Sequence, residues 1–185
     1  TDSELLKRAN ALVGTAVNLV IFTTGLPLRF LINRYHPNER ETLSIVHQFS
    51  DLGKRCNAFG LDSLGVAWQL VAKEIRLFQA LEDLTAAAID NDLIAINCAR
   101  VVEALRQLSA PGIENRGEQW KQFRNLLNID LSYLKFITEN SKGPRHGNKM
   151  NVSPEVNDQI LSRTWEVMNR FIAFRMKGNA RLPPS

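Results

Sequence analysis

From residue 64 onwards, apolar side chains return every three or four positions through four successive segments, a spacing that belongs to helices with one buried face. Leu64, Trp68, Val71, Ile75 and Phe78 open the first stripe, which extends to about Ile89. Asp90-Asn91-Asp92 interrupts it and supplies a cap for the second, carrying Leu93, Ile96, Val101, Leu105 and Leu108. Ala110-Pro111-Gly112 ends that segment. A third stripe runs through Trp120, Phe123, Leu127, Leu131, Leu134 and Ile137. Ser153-Pro154-Glu155 then starts the last helix, with a side-chain oxygen for the N-cap, a proline whose φ is preset for the first turn, and a carboxylate favoured by the helix dipole. Val156, Ile160, Val167, Phe171 and Phe174 mark its apolar face. Four long helices of roughly 17 to 26 residues with short connections predict a mainly α chain built as an antiparallel helical bundle.

The first third of the chain reads differently. Ala16 to Thr23 and Leu28 to Asn33 are rich in Val, Ile, Phe and Leu, and Thr24-Gly25-Leu26-Pro27 between them is a turn signal, so an N-terminal β-hairpin is expected. From about residue 40 the period becomes helical again, and Leu43, Val46, His47 and Phe49 predict a short extra helix running toward Phe59. The expected organisation is an N-terminal hairpin plus helix over 1–62 and a helical bundle over 63–185, forming one compact unit.

Leu12 to Ile32 is apolar enough to test as a membrane span, but Asn18, Thr23, Thr24, Gly25, Pro27 and Arg29 fall inside it. Asp2 and Glu4 offset Lys7 and Arg8, which makes a poor secretory leader. A soluble, cytoplasmic chain with no membrane partner is expected. Cys56 and Cys98 stand far apart in apolar surroundings and read as reduced, buried thiols. His36, His47 and His146 are scattered, so no metal site and no cofactor is expected. Glu82, Asp83, Asp90 and Asp92 read as a solvated helix junction, and Trp68, Trp120 and Trp165 as core. Glu103 and Arg106 sit mid-helix, either as a buried ion pair or as an inward-facing polar contribution to a cleft.

The formal net charge of +4 is unevenly spread. Residues 1–139 carry 15 Lys and Arg against 16 Asp and Glu, while residues 140–185 carry 8 against 3. The cationic excess lies in the segment after the third stripe and in the last helix, where it suits either an anionic partner or simple solvation. Asn140-Ser-Lys-Gly-Pro-Arg-His-Gly147 concentrates it, with Lys149 close behind. The His146 imidazole titrates near neutrality and suits proton transfer, and Lys142 and Arg145 suit a phosphate. The same groups would also serve as cations at a helix C-terminus.

The segment Tyr133-Leu-Lys-Phe-Ile-Thr-Glu-Asn-Ser-Lys-Gly-Pro-Arg-His-Gly147, joining the last two long helices of a bundle, resembles the HEPN superfamily of nucleotide-binding and ribonuclease domains. The resemblance covers about residues 63–176. His146 matches the histidine of the family's catalytic signature and Asn140 its polar residue, whereas Glu139, Asn140 and Ser141 stand where the signature has arginine. The motif is therefore degenerate. The resemblance implies an RNA- or nucleotide-binding domain, with Asn140, Lys142, Arg145 and Lys149 on phosphate and His146 as the catalytic residue of a metal-independent ribonuclease if cleavage is retained. It also implies a homodimer acting in defence or stress response. A non-enzymatic module that docks a protein partner is the alternative.

Overall fold

The computed structural model describes residues 2–26, 50–142 and 152–183, and no strand occurs among them. The mainly α expectation holds; the N-terminal hairpin does not. Its first arm, Ala16 to Thr23, lies inside helix α1, Asp2–Thr24. Its second arm, and most of the helix expected from residue 40, fall outside the described residues. What remains of that helix is a single turn, α2, at Ser50–Gly53. β-Branched Val17, Val20, Ile21 and Thr23 favour a strand here on propensity alone. Burial decides otherwise: Thr15, Leu19 and Phe22 are all buried, and their spacing is one helical face. The threonines fit too, since the Oγ1 of Thr23 and Thr24 donate to the carbonyls of Leu19 and Val20 one turn back. Gly25 ends the helix at φ 69°, its N–H bonded to the Ile21 carbonyl.

Two of the four expected long helices are broken. The first stripe divides into α3 (Leu64–Lys73) and α4 (Ile75–Ile89) at Glu74, which is extended at φ −125° and ψ 95°. The third divides into α6 (Arg116–Leu127) and α7 (Leu131–Asn140) at Asn128, which adopts the left-handed conformation at φ 52°. There the N–H groups of Asn128 and Ile129 both return to the Arg124 carbonyl and close the helix. Apolar periodicity continues through both breaks because each successor packs on the same core, so spacing alone did not reveal them. Between them lies α5 (Ile94–Ser109), and the last helix is α8 (Pro154–Met176). The cap at Ser153 formed as expected, whereas the one at Asp90 closes the 3-10 turn Asn91–Leu93 that leads into α5, whose own N-cap, Leu93, has no side-chain bond. Asp90 accepts from the Asp92 N–H, Ser153 from the Val156 N–H, and Pro154 takes the first turn of α8.

Helix α5 is central, packing on α4, α6, α7 and α8, while α1 lies against α3 and α4. Trp165 of α8 joins the two halves of the core. Its ring stacks on Phe22 with centroids 5.1 Å apart, and its Nε1–H donates to the Phe22 carbonyl at 3.0 Å. Phe22 also faces Phe59, so residues from both sides of the expected boundary near 62 share one apolar core. No helix among the described residues is long and apolar enough to cross a membrane.

Candidate functional site

Helices α6 and α7 both lie on α5 yet scarcely touch each other. The turn at 128–130 lets them diverge, and the groove left between them has a volume of about 430 Å³. Its lining takes Arg116 and Arg124 from opposite ends of α6, Leu131 from the start of α7 and Lys142 from just past its end. This arrangement explains which side chains meet. Arg116, Trp120 and Arg124 recur at intervals of four and form one face of α6, Leu131, Lys135 and Thr138 recur at four and three and form one face of α7, and Lys142 adds a cation two residues past the end of α7.

Four cations and two carboxylates, Glu103 and Glu139, line the groove. Glu103 is already engaged. Arg106 donates to it from one turn along α5, through Nη2 at 2.6 Å and Nε at 3.1 Å, and Arg116 Nη2 reaches its other oxygen at 2.5 Å. The Arg106 guanidinium also lies 5.3 Å from the centre of the half-buried Trp120 ring. Two donors are left over: Arg106 Nη1 and Arg124 Nε are buried and have no hydrogen-bond partner among the described residues. Buried donors of this kind favour a ligand that accepts. Arg116, on the first turn of α6, adds the positive end of a helix dipole to the same mouth. The groove is thus cationic, concave and partly apolar, and suits an anion carrying a flat or apolar body.

The sequence candidates divide between described and undescribed residues. Lys142 is exposed and belongs to the groove. Asn140 does not line it; its Nδ2 donates to the Phe136 carbonyl at 2.7 Å and helps close α7. Arg145, His146 and Lys149 lie outside the described residues. Glu103 and Arg106 form an ion pair in which Arg106 is buried and Glu103 is the member that lines the groove. Trp120, expected in the core, packs against it half-buried beside Phe123 and also lines the groove. Arg116, Arg124 and Lys135 carry no motif in the sequence, and only the helix break at 128–130 gives their spacing on α6 and α7 a common groove.

Elsewhere, chemistry is muted. No group of His, Cys, Asp and Glu fit to hold a metal occurs among the described residues. Asp83 pairs with Arg100 at 3.2 Å, and burial raises its pKa against that partner's pull. Burial pushes the Cys98 thiol up to about 12 and the Cys56 thiol up to about 11, so both stay protonated near neutrality.

No curated protein and no solved structure was found to match. Residues 63–176 match the family described as the C-terminal domain of a domain of unknown function, DUF8168. The matched segment begins just before α3, ends with α8 and includes every groove residue named above, whereas α1 precedes it. The chain therefore belongs to the DUF8168 C-terminal domain family.

Proposed function

We propose that the chain is a HEPN-like domain that binds RNA or a nucleotide, with phosphate held in the groove between α6 and α7. The observation that carries this reading is the convergence of Arg116, Arg124, Lys135 and Lys142 around Trp120, with Arg124 Nε buried and unpartnered among the described residues. Cations on two helices suit a phosphate, and an indole in the same groove suits a base. Lys142 leads directly into Arg145, His146 and Lys149, so the cationic track continues along the sequence from the groove. A paired copy of the chain would supply a second such track, which fits a homodimer acting on RNA in defence or stress response.

Binding is assigned ahead of cleavage. Glu139 stands where the HEPN signature has arginine, and its carboxylate is at the groove. An acid there opposes the charge that develops on phosphorus during strand cleavage. The test is single-stranded RNA titrated against the full chain at several salt concentrations without metal. Four phosphate contacts predict a log–log salt slope of about −3, and RNA left intact by both the wild type and His146→Ala. Salt-independent binding, or none, would remove the proposal; metal-free cleavage lost in His146→Ala would turn it into a ribonuclease.

A further inference from the structure

On the opposite flank of α7, a second set of cations faces a separate cavity. Tyr133 and Phe136 turn toward α8, where the Arg163 guanidinium lies 4.9 Å and 4.1 Å from their ring centres. Glu166 and Arg170 follow Arg163 at three and seven positions, on the same face of α8. A cavity of about 200 Å³ opens beside them, lined by Asn57, Glu166, Asn169, Arg170, Lys177 and Pro183 among others.

Arg170 is the unusual member. It is only 9% exposed, and its guanidinium donates from Nε to the Leu127 carbonyl at 2.6 Å and from Nη2 to the Pro183 carbonyl at 2.5 Å. Both acceptors are neutral, and no carboxylate pairs with Arg170 at contact distance among the described residues. A guanidinium has five N–H donors, so about three remain, on the Nη1 and Nη2 edge that binds an oxyanion bidentately. A buried charge offset mainly by carbonyls is costly, and a bound anion would lower that cost. Beside the cavity, burial raises the Tyr133 pKa and Glu166 adds to the rise, while Arg163, Arg55 and Arg170 pull it down.

Asn169 holds this corner rigid. Its Oδ1 accepts from the Asn57 and Ala58 N–H groups, and its Nδ2 donates to Asn57 Oδ1. The carbonyl end of α8 would oppose an anion, but the N–H groups of Lys177, Gly178 and Asn179 occupy the carbonyls of Ala173, Arg175 and Phe174.

We propose that this cavity is a second oxyanion site, separate from the α6–α7 groove, that takes a phosphate monoester. Arg170 and Lys177 outnumber Glu166 in the lining, and an oxyanion head group matches that cationic excess. The volume is below the roughly 300 Å³ at which pockets enclose a drug-sized molecule. The phosphate therefore enters alone, and the body it belongs to stays outside. That body is either a small ester or the end of an RNA strand.

The probe is inorganic phosphate, titrated calorimetrically into the full chain carrying Lys135→Glu and Lys142→Glu, which silence the groove. One phosphate per chain is expected to remain, and adding Lys177→Glu should weaken it about tenfold or more. Lys177 is exposed, so this substitution leaves the fold intact; an unchanged far-UV spectrum confirms that. Loss of all phosphate binding in the groove variant, or binding indifferent to Lys177→Glu, overturns the site. Single-stranded RNA with and without a 5′-phosphate separates the two sources. Tighter binding of the phosphorylated strand, abolished by Lys177→Glu, assigns an RNA end; equal binding of both strands assigns a small ester.

Discussion

Glu103 has two partners with different burial, and the difference sets what its removal would do. Arg106 is 5% exposed at its side chain and Arg116 is 69% exposed. Glu103→Gln leaves the first as a buried cation short of its counter-ion, while the second merely returns to water. The variant should lose about 1–3 kcal/mol in urea unfolding. It should also bind phosphate more tightly, because Arg116 no longer faces a carboxylate. Stability and affinity moving in opposite directions is the expected signature; a loss of both would mean that Glu103 shapes the groove rather than neutralises it.

The two thiols make a pH prediction. Burial raises Cys98 from 9.0 to about 12 and Cys56 from 9.0 to about 11. Between those limits the folded chain holds protons that the unfolded chain releases, so stability is full below pH 9 and falls as pH rises through 9 to 11. Each thiol contributes at most about 1.4 kcal/mol per pH unit. Urea midpoints at pH 8 and pH 10.5 should show the decline, and Cys98→Ala should make it shallower. An identical pH slope in that variant would count against a buried, protonated Cys98.

Among the elements, the short break at 128–130 has the largest functional consequence. It lets α6 and α7 diverge over α5, and without divergence there is no groove. Asn128 sits at φ 52°, a conformation that glycine adopts freely and β-branched residues resist. Asn128→Gly should leave stability unchanged or raise it by up to about 1 kcal/mol, whereas Asn128→Val should cost about 1–2 kcal/mol, both read from thermal unfolding. Equal midpoints for the two would mean that the left-handed turn carries no strain.

Legibility at this scale followed burial pattern and failed where composition competed with it. The capped helix starts at Asp90 and Ser153 were readable because a side-chain oxygen at an N-cap has one local role. The helix at 16–23 imitates a hairpin arm through its β-branched residues and the Thr-Gly-Leu-Pro run that follows. Its true period appears only in which residues the core takes, Leu19 and Phe22 against Trp165 and Phe59. The breaks at Glu74 and Asn128 carry no proline and keep the apolar spacing; at the second, Asn128 and Asp130 suit a helix end and a helix start, while Glu74 gives no local sign.

Across the whole molecule, the cationic excess of residues 140–185 was visible in the sequence, and its address was not. Lys142 is the one described residue shared by the sequence-based phosphate set and the groove. The other three groove cations come from the charge-balanced first 139 residues, where a count of charges hides them. They become a site because α5 gathers α6 and α7 onto one surface. Conversely, Arg163, Arg170 and Lys177 belong to the basic end, Arg163 packing on the Tyr133 and Phe136 flank of α7 and the other two lining the second cavity. The two faces of one ten-residue helix thus separate two cationic regions that sequence alone merges.

Charge reversal by position tests the account most directly. Single-stranded RNA affinity is measured by anisotropy for the wild type, for Lys135→Glu with Lys142→Glu, and for Lys121→Glu. Lys121 is an exposed cation on α6 outside the groove lining and only loosely paired with Glu118, at 4.0 Å. If the groove holds phosphate, the double variant should lose at least about tenfold in affinity and the salt slope should flatten by about 1.4, while Lys121→Glu stays within about twofold of wild type. Equal losses at Lys121 and in the groove, or no loss in either, would contradict it.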